Sequence, residues 1–182
     1  MQELTLTIGG NQIAVNKHGE GAVPLVLLHG GGVDSALLSW REVMALLPPR
    51  YTAYAIDLPG YGHSARPEGM EGPDFYNKLM AAAIGVADAL GLTRFALSGL
   101  SMGGAVAIGL ALAYPERVAA LVPVDSWGLV SRMPMHRLMW RCVNLPMLRA
   151  LFRLFARHRL LVKWTVETSL IGNRAKVTPT LV

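Results

Sequence analysis

Ser101 stands in the pentapeptide Gly99-Leu100-Ser101-Met102-Gly103, which has the form G-x-S-x-G. The run before it, Phe95-Ala96-Leu97-Ser98, reads as a short buried strand; the run after it, Gly104 to Ala113, reads as a helix. Strand, sharp turn and helix form the setting in which this pattern presents a nucleophilic serine. Such a turn forces unfavourable backbone angles, and a Cβ at Gly99 or Gly103 would collide with it. The helix opening near Met102 points its free N–H groups and positive dipole end at the serine. The chemistry implied is attack on a carbonyl by the Ser101 hydroxyl, with the Met102 amide as one donor to the oxyanion.

A second group of residues lies at 29–32, His29-Gly30-Gly31-Gly32, after the apolar run Val23-Pro24-Leu25-Val26-Leu27-Leu28. The run has the length and branching of a buried central strand. A glycine-rich loop at its end lets the main chain approach a substrate oxygen closely. Gly31 is the candidate second oxyanion donor, and His29, Gly30 and Gly32 are candidates for the substrate-binding wall. A phosphate-binding loop fits poorly, because no G-K-[ST] follows and the G-x-G-x-x-G spacing is not met. A third motif, Asp57-Leu58-Pro59-Gly60-Tyr61-Gly62-His63-Ser64, follows the strand Tyr51–Ile56.

These three motifs, in this order, resemble the α/β-hydrolase superfamily, and in particular its capped serine hydrolases. The segment Ala113-Tyr114-Pro115-Glu116-Arg117-Val118 is similar to the family's link from the elbow helix to the next strand. The resemblance covers the family's N-terminal part. It implies an α/β fold, a mostly parallel sheet with helices on both faces, truncated after the first part of a helical cap. Residues 1–126 would be the N-terminal part of the core, and 127–182 the incomplete start of the cap. Asp57 and His63 would belong to a structural turn near the pocket. Asp125 ends the strand after the elbow helix; some family members place their catalytic acid there, and the position is also commonly structural.

The family delivers its general base, a histidine, on a late strand-end loop. No histidine follows His158 in this sequence. His136 and His158 fall in the cap segment among arginines and read as surface or packing residues. Without a base, the Ser101 hydroxyl is a poor nucleophile. The resemblance therefore implies a hydrolase of a small ester, lactone or related carbonyl substrate, with this chain alone inactive or very weak. Members that use an aspartate nucleophile are poor guides here; carbon–carbon bond hydrolases and haloperoxidase-like esterases stay open. The rival reading is an inactive hydrolase-like scaffold that binds a ligand, a partner or a membrane surface. Neither cofactor nor metal is called for.

The elements that must position these residues can be read in order. Met1–Thr7 alternates, Gly9-Gly10-Asn11 turns, and Gln12–Val15 completes a hairpin. A helix from about Ser39 to Leu47 is stopped by Pro48-Pro49. A helix over 74–90 is closed by Gly91. Strands at 94–98 and 118–124 flank the elbow helix. The alternation of strand and helix implies a parallel sheet covered on both faces, with the site at the strands' carboxyl ends. The strand at 118–124 would then be an open apolar edge, a template for self-association.

Charge is divided unevenly. Residues 131–182 hold ten Lys/Arg and one acid, Glu167, a net +9; residues 1–130 hold seven basic and eleven acidic groups, a net −4, which together give the chain's +5. Leu148, Leu151, Phe152, Leu154 and Phe155 interleave with arginines as in an amphipathic helix. The plain reading is a cap with a solvated basic face. Basic amphipathic helices also bind anionic lipid, but this reading is the weaker one, and no motif accompanies the charge to suggest nucleic acid. The segment from Gly172 to Val182 looks like the approach to another cap helix, with Thr178-Pro179 as its start. The uncharged stretch between Arg94 and Glu116 is explained by a buried strand and helix better than by a membrane span. One cysteine, Cys142, excludes an intrachain disulfide. The amino terminus lacks a basic and apolar leader pattern, and these points favour the cytoplasm.

Overall fold

The computed structural model describes residues 1–70, 72–129, 141 and 145–165. The chain divides into two compact units, Met1–Leu129 and Val130–Val182. The first unit is a six-stranded sheet with helices on both faces. Its elements are β1 (Gln2–Ile8), β2 (Asn11–His18), β3 (Val23–Leu28), α1 (Ala36–Leu46), β4 (Tyr51–Ile56), α2 (Phe75–Ala89), β5 (Phe95–Leu100), α3 (Met102–Ala113) and β6 (Val118–Val124).

The strand order is β1-β2-β4-β3-β5-β6. The hairpin β1–β2 and the pair β2–β4 are antiparallel, while β4, β3, β5 and β6 run parallel. Strand β3 lies between β4 and β5 and must be covered on both faces, which is why it reads as an unbroken apolar run. Its side chains alternate accordingly. Val26 and Leu28 enter a large core with Ile56, Leu79, Val86, Leu97, Val106 and Leu110, on the face of α2 and α3. Leu25 and Leu27 face the opposite core with Ala36, Trp40 and Met44 of α1. Each fully buried leucine here contributes about 2 kcal/mol of transfer free energy.

Helix α1 begins three residues before the position the apolar pattern indicates. Ser35 is its N-cap, accepting from Leu38 N–H at 3.3 Å, and Asp57 Oδ1 accepts from Ala36 N–H at 2.7 Å. Helix α2 ends as its glycine predicts: Gly91 has φ 68° and Leu92 N–H returns to Ala87 O at 2.8 Å. Strand β5 runs two residues past the predicted end, because Gly99 pairs with Leu28 and Pro123, and Leu100 with Val124.

Among the described residues, strand β6 pairs with β5 alone. The carbonyls of Val122 and Val124 face β5, accepting from the Ser98 hydroxyl and from Ser101 N–H, both at 2.9 Å. Strand alternation turns the main-chain groups of Leu121 and Pro123 outward. Pro123 has no N–H, so the open side of β6 is partly blunted as a template for another strand.

The second unit contains, among the described residues, α4 (Pro146–Arg157) and α5 (Arg159–Thr165). Met147, Leu151 and Leu154 of α4 are exposed, as are Leu160, Leu161 and Trp164 of α5. The segment at 172–182 and its expected helix start lie outside the described residues, as does His136. No helix among the described residues is long and apolar enough to cross a membrane.

Candidate active site

The site is built where β5 becomes α3. Ser101 is the junction, with φ 50° and ψ −110°. A non-glycine residue with positive φ costs on the order of 1–3 kcal/mol and persists only where its surroundings hold it. They do so with three main-chain hydrogen bonds. Ser101 N–H donates to Val124 O at 2.9 Å, and Ser101 O accepts from Ala105 N–H and Trp127 N–H, each at 3.1 Å.

The glycines around Ser101 are demanded by close contact. A Cβ on Gly99 would lie 2.2 Å from Gly103 O, and one on Gly103 would lie 2.4 Å from His29 O and 2.5 Å from Leu28 O. Gly104, which the motif reading passed over, is equally constrained: its Cβ would meet the Ser126 side chain at 2.8 Å. Gly103 brings the start of α3 hard against the end of β3. Met102, the first residue of α3, is 4% exposed, and its amide is one of the helix's free N-terminal donors.

The loop after β3 lies against this turn. A Cβ on Gly31 would contact Met102 Sδ at 3.5 Å and Met102 Cβ at 3.6 Å; one on Gly30 would lie 3.6 Å from Ser101 Cβ. Gly30 and Gly31 therefore flank Ser101 and its following residue. Gly32 has φ +82°, which fixes glycine there. The Tyr61 hydroxyl, 3.8 Å from Met102 Sδ, closes the far side. Beside the loop opens a cavity of about 220 Å³ lined by Gly32, Pro59, Gly60, Tyr61, Arg66, Met70 and Phe75.

His29 does not form part of a substrate-binding wall. It is fully buried, and both ring nitrogens are engaged by main chain. Nδ1 lies 2.7 Å from Gly30 O, and Nε2 lies 3.0 Å from Leu58 N. An amide N–H can only donate, so Nε2 accepts and Nδ1 carries the proton toward Gly30 O. The Tyr61 ring packs edge-on against it at 4.9 Å. The imidazole is a staple between the β3 loop and the β4 loop.

Burial holds the His29 pKa below its usual value. The unfolded chain then binds the extra proton more readily, so this group's stability contribution is complete above about pH 6.5 and is lost as pH falls toward the depressed folded value. His63 has the opposite sign. Its Nδ1 pairs with Glu3 at 2.9 Å on the exposed surface, and that hydrogen bond raises its pKa. Its contribution is complete below the unfolded value and is lost as pH rises through the raised one. In a His63→Ala background, the urea midpoint should therefore fall as pH drops from 6.5 to 5. A midpoint that stays level or rises contradicts the staple.

Asp57 is structural, as expected: its carboxylate accepts from Ala36 N–H at 2.7 Å and His63 N–H at 3.0 Å, and a Cβ on Gly62 would strike it at 2.1 Å. Asp34 was not singled out by the motifs, yet it accepts from Gly30 N–H at 2.7 Å, directly behind the loop. Its signal in the sequence is the pair Asp34-Ser35 ahead of an apolar helix. Asp125 follows β6 with φ 42°, between the residues whose main chain clamps Ser101. Among the described residues of the first unit no histidine hydrogen-bonds to Ser101 or Asp125. His18 is at the end of β2 that pairs beside Ala53, away from the carboxyl end of β4, and His158 lies in the second unit. Among the described residues no group of three His, Cys, Asp or Glu side chains could hold a metal ion.

Residues 23–174 match the family described as alpha/beta hydrolase fold. The 2-hydroxymuconate semialdehyde hydrolase of Pseudomonas sp. (strain CF600) is 39% identical over 121 residues, which are 64% of this chain and 41% of that protein. A pimeloyl-[acyl-carrier protein] methyl ester esterase of Legionella pneumophila (strain Lens) is 39% identical over 114 residues, 63% of this chain and 42% of that protein. The structure of a serine hydrolase involved in carbazole degradation, CarC, is similar with a TM-score of 0.66 at 28% identity, covering 78% of this chain and 55% of that one. The thioesterase domain from the curacin biosynthetic pathway has a TM-score of 0.64 at 28% identity, covering 79% and 53%. The chain spans less than half the length of these two curated relatives.

Proposed function

Because the chain belongs to the α/β-hydrolase family, we propose that it carries the nucleophile and oxyanion hole of a serine hydrolase acting on a small ester or related carbonyl substrate. Ser101 attacks the carbonyl carbon; the Met102 and Gly31 amides hold the oxygen as it gains charge. The observation that carries this reading is the backbone of Ser101. A strained serine, fenced by three obligatory glycines at the start of a helix and faced by a glycine loop, has a cost that a mere turn does not require. Two main-chain donors of this kind stabilise the transition state because they need no reorganisation when charge develops. Relatives named as a methyl ester esterase and as a semialdehyde hydrolase support a carbonyl electrophile. They leave ester cleavage and carbon–carbon cleavage as two chemistries for one site.

A second reading has an observation of its own: among the described residues of the first unit, no histidine hydrogen-bonds to Ser101. A hydrolase scaffold that binds without turnover would look the same in this respect. The two readings part on a kinetic measurement. With its proton acceptor unfilled, the chain should hydrolyse short p-nitrophenyl esters only slowly, since an oxyanion hole and binding alone retain about 10³–10⁴-fold over water. Zero turnover above buffer favours the scaffold. Robust turnover that is lost in His136→Ala or His158→Ala would show a second-unit histidine acting as base, overturning the account of an unfilled acceptor.

A further inference from the structure

Both main-chain polar groups of Gly30, its N–H in the peptide unit before it and its C=O in the peptide unit joining it to Gly31, are held by side chains that take no part in the chemistry assigned so far. On one side, Asp34 Oδ2 accepts from Gly30 N–H at 2.7 Å. On the other, His29 Nδ1 lies 2.7 Å from Gly30 O and donates to it. A peptide group is planar, with its C=O and the following N–H on opposite edges. Fixing Gly30 O therefore fixes the direction of the Gly31 N–H. Further along, the loop is open among the described residues: no atom lies within 4 Å of a Cβ built on Gly32, and Val33 is 86% exposed.

We propose that Asp34 is a positioning residue for the oxyanion hole, clamping Gly30 so that the Gly31 amide stays aimed beside Met102. This rests on the reading of Gly31 and Met102 as the donors. The carboxylate is specifically suited to the task. Its second oxygen, Oδ1, accepts from Ser35 N–H at 2.8 Å, and the Ser39 hydroxyl is 2.8 Å from both oxygens. Two N–H donors, one from the loop and one from the start of α1, thus need two accepting oxygens. An asparagine has one; its NH₂ would face the other N–H group. The clamp ties the loop to a rigid helix end, and its charge-assisted bonds are stronger than neutral ones.

The test compares Asp34→Ala and Asp34→Asn with Ser35→Ala. The last removes the side-chain cap of the same helix end but leaves the Ser35 N–H and the Asp34 clamp in place. The rate of Ser101 phosphonylation by a fluorophosphonate, followed by mass spectrometry over a range of reagent concentrations, gives the limiting rate and half-saturation concentration for covalent capture. Amide hydrogen exchange of Gly30 reads the clamp without chemistry. Asp34→Ala should slow this capture by about 100-fold with half-saturation changed little, the cost of a displaced donor. Asp34→Asn should lose about tenfold, since it keeps one of the two acceptors. Ser35→Ala should lower the melting temperature yet leave the rate within about twofold, as a cap loss away from the donor. Gly30 exchange should accelerate in Asp34→Ala and not in Ser35→Ala.

Unchanged Gly30 exchange in Asp34→Ala, or rates that follow melting temperature alike in all three variants, would overturn the proposal. A parent chain that forms no fluorophosphonate adduct at Ser101 defeats the serine-hydrolase reading instead. The exchange measurement then still decides whether Asp34 holds the loop.

Discussion

Gly103→Ala should prevent the first unit from reaching its native stability. The added methyl would sit 2.4 Å from His29 O, 2.5 Å from Leu28 O and 2.7 Å from Leu28 C. All three are main-chain atoms of a central strand and its exit, so no side-chain rotation relieves the contact. Either α3 must lift from β3, or the strand must bend in a close-packed core that transmits the shift. Overpacking costs about 1–3 kcal/mol where neighbours can yield, and more where they cannot. A loss of about 3 kcal/mol or more is expected here, a large share of the 5–15 kcal/mol typical of a whole domain. Gly31→Ala is the control, because its nearest contacts, at 3.5 and 3.6 Å, are ordinary van der Waals distances. Its urea midpoint should stay close to the parent's. A Gly103→Ala protein with the parent's midpoint would show that the helix start does not pack as described.

The same steric argument explains how much of the molecule is legible in the sequence. Around Ser101 the backbone path leaves room for hydrogen alone at 99 and 103, so the pattern encodes geometry directly. The alternation of β1 and the unbroken apolar run of β3 encode burial on one face and on two, and the sheet follows. Element ends are less legible, because they depend on partners. Helix α1 starts early on account of Ser35 and of a carboxylate 21 residues away, and β5 is prolonged by pairing on both sides. The direction of the His29 side chain is illegible for a related reason. A residue at a strand's carboxyl end can face a cleft or the interior, and the side-chain type does not decide between them. Burial and the Leu58 N–H turn the imidazole inward. Asp34 left a trace as part of a helix-start pattern, but its bond to Gly30 depends on how the loop folds back, which no spacing rule states.

Ser101→Ala should abolish covalent capture at this site completely. Turnover is the weaker measurement, because an oxyanion hole and binding alone retain about 10³–10⁴-fold over water without the nucleophile. A covalent adduct has no such residue: it needs the Ser101 oxygen itself. The alanine keeps the backbone free to adopt the strained turn at about the same cost, so the fold serves as its own control. The decisive measurement is reaction of the chain with a fluorophosphonate, followed by mass spectrometry of the intact protein and its peptides. The phosphonate mimics the tetrahedral intermediate and presents an oxygen to the Met102 and Gly31 amides. The account predicts one adduct, mapped to Ser101, forming slowly in the parent chain and absent in Ser101→Ala. An adduct on any other residue, or one that persists in Ser101→Ala, would contradict it.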